Sequence, residues 1–199
     1  MEKTHKGLPL LDATLDEWEL GIYCLSLVDD PATQRSWLLF SNKHNQPATQ
    51  PLKFAVTDAN EHKVLSVIML ANTPIYRIDE NGKPYYLQFS KDTLYEAAHR
   101  MLRNGFQNNT NIEHIESSMV YGFDMVQLYL KDTAKGISPI GFEDVPDGSL
   151  FGEFYVTDET LWQEILDGKF RGISLEGEFG VEDKPIESIE ELVQYLGMA

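Results

Sequence analysis

Short strand-like runs dominate this chain and limit its fold more than any other feature of the sequence. They lie at 20–28, 37–40, 53–57, 64–71, 75–78, 85–89, 111–116, 119–130, 149–156 and 170–181. Most of them alternate apolar with polar residues, are bounded by turn-forming residues, and outnumber helix-like patterns about three to one. Their spacing shows no regular βαβ alternation. We therefore expect a mainly β, α+β fold, with an antiparallel β-barrel core and about three peripheral helices.

Three helix patterns carry their own start and stop signals. The first spans 90–105, with Ser90 as N-cap and apolar residues at helical spacing. The second spans 157–168 and has acidic residues in its first turn, where they favour the positive end of the helix dipole. The third spans 188–197 and begins with a capping box, and a glycine ends each of the three.

Length and charge limit the classes of protein that this chain can belong to. Its 199 residues suit one main domain at 20–183, with an N-terminal tail at 1–19 and a C-terminal helix at 184–199. A single cysteine excludes a disulfide framework, and the polar N-terminus lacks a secretory signal, so we expect a cytosolic protein. The net charge is −16, and 101–199 hold 19 acidic and only 6 basic residues. Such a surface disfavours nucleic acid and anionic membranes; it either maintains solubility or steers a basic partner.

Common cofactor motifs are absent from the sequence. No glycine-rich phosphate loop is present, and the five histidines show no zinc-ligand spacing, so we expect no metal and no organic cofactor. Two segments indicate other chemistry: NIEHIE at 111–116, which places a histidine in a predicted strand, and FRGISLEGEF at 170–179.

Strand alternation in the second segment separates a core face from an open face. Ile173 and Leu175 fall on the predicted core face, whereas Ser174 and Glu176 fall on the other. A serine becomes a nucleophile when a base takes its proton, and His114 could do so for Ser174. From the residues alone, a polar strand face with no catalytic role is the better explanation of the pattern, because serines and histidines occur in most proteins.

Several short motifs follow one another in a specific order between about residue 20 and residue 180. They are YCLSLVDDPA at 23–32, PIYR at 74–77, FSKDT at 89–93, NIEH at 111–114, GSL at 148–150, TDETLW at 157–162, DGK at 167–169 and GISLEG at 172–177. This ordered set resembles the XkdF-like serine proteases of tailed phages, a branch of the prohead (capsid maturation) proteases.

The resemblance implies a fold, a site and a biological role. The fold would be similar to herpesvirus assemblin, with His114 as catalytic base and Ser174 as nucleophile. The third member in related proteases is a His, Glu or Asp. Glu116 shares a predicted strand face with His114 and Glu176 shares one with Ser174, so either could serve, and a solvated acid with no catalytic role explains each of them at least as well. The enzyme would be a serine endopeptidase that needs no cofactor and acts inside the prohead in the bacterial cytoplasm. Its partners would be the phage scaffold, the major capsid protein and itself, through self-cleavage or a homodimer.

Two positions depart from the family's pattern. Gln127 stands where relatives tend to carry an acid, and Ile115 follows His114 where relatives often have asparagine. Together with the acidic surface, Gln127 motivates a second hypothesis: a catalytically degenerate protease fold that serves as a head structural or scaffold-associated protein. A small-molecule hydrolase has less support, because the sequence has no GxSxG elbow.

Overall fold

The computed structural model describes residues 3–29, 54–58 and 62–183. The strands in this part of the chain are Thr4–His5 (β1), Leu8–Thr14 (β2), Gly21–Val28 (β3), Phe54–Asp58 (β4), Lys63–Met69 (β5), Ile75–Ile78 (β6), Pro84–Gln88 (β7), Thr110–Ile112 (β8), Phe123–Leu130 (β9), Leu150–Val156 (β10), Gly172–Glu178 (β11) and Gly180–Glu182 (β12). The α-helices are Lys91–Arg103 (α1) and Glu159–Leu166 (α2), and a short 3₁₀ helix covers Thr133–Lys135. The predicted strand at 37–40 and the predicted helix at 188–197 lie outside the described residues.

The strands form three sheets. One has the order β1-β2-β7-β6 with β12 also paired to β2, the second β4-β5-β10-β9, and the third β11-β3-β8. The α+β, mainly β class is confirmed, and the described residues form no closed barrel. Most of the described strand pairs are antiparallel, as expected, but β2 pairs with β7 and β3 with β8 in parallel. Parallel strands need a long crossover, and the chain from Val28 to Thr110 supplies one for β3 and β8.

The N-terminal segment differs from the expected tail. Within 1–19, β2 runs between β7 and β12 and buries Leu10 and Ala13. The Nζ of Lys3 lies 2.9 Å from Asp12 Oδ2 on β2, which ties Lys3 to the sheet. Residues 3–19 therefore belong to the folded domain.

The two α-helices cover the sheets with their apolar faces. Ser90 caps α1 as predicted, because its Oγ accepts a hydrogen bond from the Thr93 backbone N–H at 3.0 Å. In α2 the N-cap is Asp158, one residue after the predicted start, and Trp162 is buried beneath the helix. In the described part of the chain, no helix has the length and apolarity to cross a membrane.

One face of the third sheet packs against the hydrophobic core, and the opposite face carries the polar side chains. Leu25 and Leu27 of β3 and Ile173 and Leu175 of β11 all lie in the main hydrophobic core. Because successive residues of a strand point to opposite faces, the residues between them are held on the other face. The predicted alternation of β11 is thus confirmed at these positions.

Candidate functional site

Three polar residues lie side by side across the third sheet. Ser174 of β11 is in register with Ser26 of β3, and Ser26 is in register with Asn111 of β8. Opposed residues on neighbouring strands have Cβ atoms about 5 Å apart, so these side chains form one row. The row is enclosed: Ser26 is 0%, Asn111 2% and Ser174 5% exposed.

A bulge in β3 determines which side chains of this strand lie on the same face of the sheet as the polar row. Glu176 pairs with Cys24, whereas the next residue, Gly177, pairs with Ile22, so Tyr23 is the extra residue on β3. Sequence alternation alone places Ile22 on the same face as Cys24 and Ser26. The bulge interrupts this alternation between Ile22 and Cys24. Ile22 therefore packs in the core, whereas Cys24 and Ser26 lie on the opposite face of the sheet, which carries the polar row.

His114 lies in a turn and not in the strand predicted at 111–116. Strand β8 ends at Ile112, and both Glu113 and His114 have left-handed backbone, with φ of 53° and 60°. The Ile115 N–H closes the turn on the Ile112 carbonyl at 3.0 Å, and Glu113 Oε1 accepts from the Asp29 N–H at 2.7 Å. Two consecutive left-handed non-glycine residues are costly, and such strain concentrates at functional sites.

The turn directs the imidazole of His114 towards one carboxylate oxygen. Glu176 Oε1 lies 3.1 Å from His114 Nδ1, accepts from Ser26 Oγ at 2.6 Å and accepts from Asn111 Nδ2 at 2.7 Å. Ser26 Oγ also lies 2.7 Å from Asn111 Oδ1 and 3.0 Å from His114 Nδ1. The side chains of His114 and Glu176 are only 14% and 13% exposed. Four residues from three strands and one turn thus share one polar network.

The network keeps Glu176 ionised. Burial raises the pKa of this carboxyl, but hydrogen bonds from His114, Ser26 and Asn111 outweigh burial and lower the pKa to about 2. The carboxylate can therefore orient an imidazole and stabilise its protonated form during a reaction.

Cys24 lies on the same face as the two serines and carries a thiol, which is a second kind of potential nucleophile. Its environment makes this thiol unreactive. Burial first, and the charge of Glu176 second, raise the pKa of the Cys24 thiol to about 12. The thiolate is the reactive form of cysteine, so this side chain stays unreactive near neutral pH. Burial and Glu176 also raise the pKa of the Tyr23 hydroxyl, which stays protonated.

Of the four predicted site residues, two are joined by a hydrogen bond, and the other two make no hydrogen bond to this pair among the described residues. His114 and Glu176 are hydrogen-bonded, whereas the described residues include no hydrogen bond between His114 and Ser174. Ser174 is 5% exposed, and its hydroxyl makes no hydrogen bond to a described residue. Glu116 lies beyond the turn, is exposed, and makes no hydrogen bond to His114 among the described residues.

Sequence reasoning did not identify Ser26 and Asn111 as site residues. Ser26 is a polar residue in an otherwise apolar strand, whereas Asn111 stands between Thr110 and Ile112 in a strand of three residues; both side chains are fully or almost fully buried. The interruption of β3 is the signal that could have identified Ser26, because buried polar side chains need partners, and β8 offers no such signal for Asn111. Their segments already belong to the quoted motifs at 23–32 and 111–114.

Gln127 does not take part in this network. It lies exposed on β9 in the second sheet, where it is in register with Glu153 of β10. The departure from the family's acidic residue therefore leaves the hydrogen bonds around His114 intact.

Comparison of the chain with family models, with curated protein sequences and with solved structures finds no match.

Proposed function

We propose that this chain is a serine endopeptidase in which Ser174 is the nucleophile, His114 the general base and Glu176 the residue that orients the base. The observation that carries the proposal is the 3.1 Å contact of His114 Nδ1 with the ionised Glu176 carboxylate. With Nδ1 occupied, Nε2 is the nitrogen that can accept a proton. Ser174 lies two residues before Glu176 on the same face of β11, and it is in register with Ser26, whose Oγ lies 3.0 Å from His114 Nδ1.

Ser174 suits the role of nucleophile better than Ser26, although Ser26 is hydrogen-bonded to the histidine. Ser26 is 0% exposed, and its one hydroxyl proton is committed between Asn111 Oδ1 and Glu176 Oε1. It also contacts Nδ1, the nitrogen that faces the carboxylate. The Ser174 hydroxyl makes no hydrogen bond to a described residue, so its proton is uncommitted.

The reaction follows from these roles. His114 Nε2 takes the Ser174 hydroxyl proton as Oγ attacks the scissile carbonyl, and later returns that proton to the leaving amine. The Glu176 carboxylate stabilises the imidazolium between the two steps. The Ser174–His114 hydrogen bond forms when substrate is bound, since catalytic hydrogen bonds are often loose in free enzymes.

The resemblance to XkdF-like proteases gives this chemistry a setting. The chain would cleave phage scaffold and major capsid protein, and itself, inside the prohead in the host cytoplasm. Its three sheets would correspond to the barrel of an assemblin-like fold, and it would act without a cofactor, as a monomer or as a homodimer. The net charge of −16 suits docking on basic segments of these proteins.

The test is cleavage of scaffold and capsid proteins from the same genome by matched serine variants. Ser174→Ala should lose about 10⁴-fold or more of the activity, on the precedent of catalytic triads. Ser138→Ala, at an exposed position far along the chain from the site, should cleave at the parent rate. Cleavage by Ser174→Ala at the parent rate would refute the assignment.

The degenerate-fold hypothesis is favoured by one specific observation. Ser174 is 5% exposed and has no hydrogen bond to His114 in the described chain. Under this hypothesis Ser174→Ala would leave proheads assembling and maturing normally, whereas removal of the whole chain would stop assembly. Under the protease hypothesis the variant should accumulate uncleaved scaffold in unexpanded proheads.

A further inference from the structure

Hydrogen bonds hold one of the two carboxylate oxygens of Glu176 towards His114. Oε1 receives Ser26 Oγ at 2.6 Å, Asn111 Nδ2 at 2.7 Å and His114 Nδ1 at 3.1 Å. The second oxygen of this carboxylate makes no hydrogen bond to a described residue. Three polar groups therefore converge on a single oxygen.

The amide of Asn111 has a defined orientation in this network. Its Nδ2 donates to Glu176, so its Oδ1 is the atom that faces Ser26 Oγ at 2.7 Å. The Ser26 proton is then shared between two oxygen acceptors, Asn111 Oδ1 and Glu176 Oε1, and points away from His114. Only lone pairs remain around Nδ1, on Glu176 Oε1 and Ser26 Oγ, so Nδ1 must carry the ring proton.

We propose that Ser26 and Asn111 are positioning residues: as two fixed donors they hold an oxygen of residue 176 towards His114, and thereby keep Nδ1 protonated and Nε2 free as the base. The catalytic consequence rests on the proposed function, whereas the tautomer itself does not. In trypsin-like triads, replacement of the carboxylate by an amide gives the wrong tautomer and lowers kcat about 10⁴-fold. Here the two donors should keep the oxygen of a glutamine in place, with its NH₂ group at the position of the second oxygen.

The experiment reads the His114 tautomer by NMR of protein labelled with ¹⁵N-histidine, with His114→Gln used to assign the signal among the five histidines. The parent protein and Glu176→Gln should both show Nδ1–H. The triple variant Glu176→Gln with Ser26→Ala and Asn111→Ala should show Nε2–H, because the glutamine amide is then free to turn and donate to Nδ1. Glu176→Gln with Ser66→Ala is the control, since Ser66 is another fully buried serine, in the second sheet.

Activity supplies a second readout. Glu176→Gln should lower kcat roughly 10–100-fold, the loss of one charge-assisted hydrogen bond, with KM nearly unchanged. The triple variant should lower kcat by at least another order of magnitude, whereas the Ser66 control should match Glu176→Gln.

Four results would overturn the proposal: an Nε2–H tautomer in the parent, an Nε2–H tautomer in Glu176→Gln alone, an Nδ1–H tautomer in the triple variant, or equal kcat in Glu176→Gln and the triple variant. If the triple variant does not fold, the tautomers of the parent and of Glu176→Gln still decide the matter. If the chain cleaves no protein at all, the proposed function fails while the tautomer measurement stands by itself.

Discussion

Glu176→Gln should destabilise the protein in a way that depends on pH. The substitution removes the charge of a carboxylate that accepts three hydrogen bonds, while it keeps the size of the side chain and an oxygen acceptor. The native network lowers the pKa of Glu176 from 4.5 to about 2. Since 4.5 − 2 is 2.5 and each pKa step corresponds to about 1.4 kcal/mol, the charge contributes at most about 3–4 kcal/mol. The Glu176 side chain is 13% exposed, so solvent screens part of this contribution, and we expect about 1–2 kcal/mol.

The sign of the pH dependence follows from the lowered pKa. Glu176 binds a proton more readily in the unfolded chain, so its contribution is fully present above pH 4.5 and is lost as the pH falls towards 2. Urea unfolding of parent and Glu176→Gln, followed by tryptophan fluorescence, measures the difference in the free energy of unfolding at pH 7 and at pH 3. That difference should shrink by about 1 kcal/mol at the lower pH.

A neighbouring carboxylate serves as the control. Glu178 is exposed, lies on the same strand, and makes no hydrogen bond to a described residue, so Glu178→Gln should leave the free energy of unfolding nearly unchanged. A Glu176→Gln difference that is equal at both pH values, or a variant more stable than the parent at pH 7, would refute the reasoning.

Three further predictions concern packing, a buried lysine and charge. Gly177→Ala should lower the free energy of unfolding by about 1–3 kcal/mol in urea titrations, because its Cβ would lie 2.8 Å from the Gly21 carbonyl and closer still to the Phe179 ring. Lys131→Met should lower the thermal midpoint by several degrees, about 1–3 kcal/mol, since the buried Nζ of Lys131 donates to three carbonyl groups within 142–145. Cleavage of basic scaffold segments should slow as salt rises from about 0.05 to 0.5 M, if the charge of −16 steers docking; a rate independent of salt would contradict this.

Local patterns in the sequence were enough to predict the parts of the fold that depend on neighbouring residues. The Ser90 cap and the buried face of α1 follow from helical spacing, and the core side of β11 follows from strand alternation. Ser174 and Glu176 could be placed on one face for the same reason. These features require no knowledge of what packs against them.

The remainder of the site depends on contacts between residues far apart in the chain. Ser26 and Asn111 are 85 residues apart in sequence, and their pairing results from the parallel register of β3 and β8, which no local pattern reveals. The strand predicted at 111–116 ends at Ile112, and the chain turns at His114. Its left-handed residues are held by tertiary contacts, including the bond from Asp29 to Glu113.

Covalent labelling of the nucleophile tests the central claim most directly. The parent protein and His114→Ala would be treated with a fluorophosphonate probe, and the adduct would be located by mass spectrometry of proteolytic peptides. We expect one adduct per chain on Ser174, formed about 10³-fold more slowly or not at all in His114→Ala. Absence of an adduct on Ser174, an adduct on Ser26 instead, or labelling of Ser174 at the same rate without His114 would contradict the account.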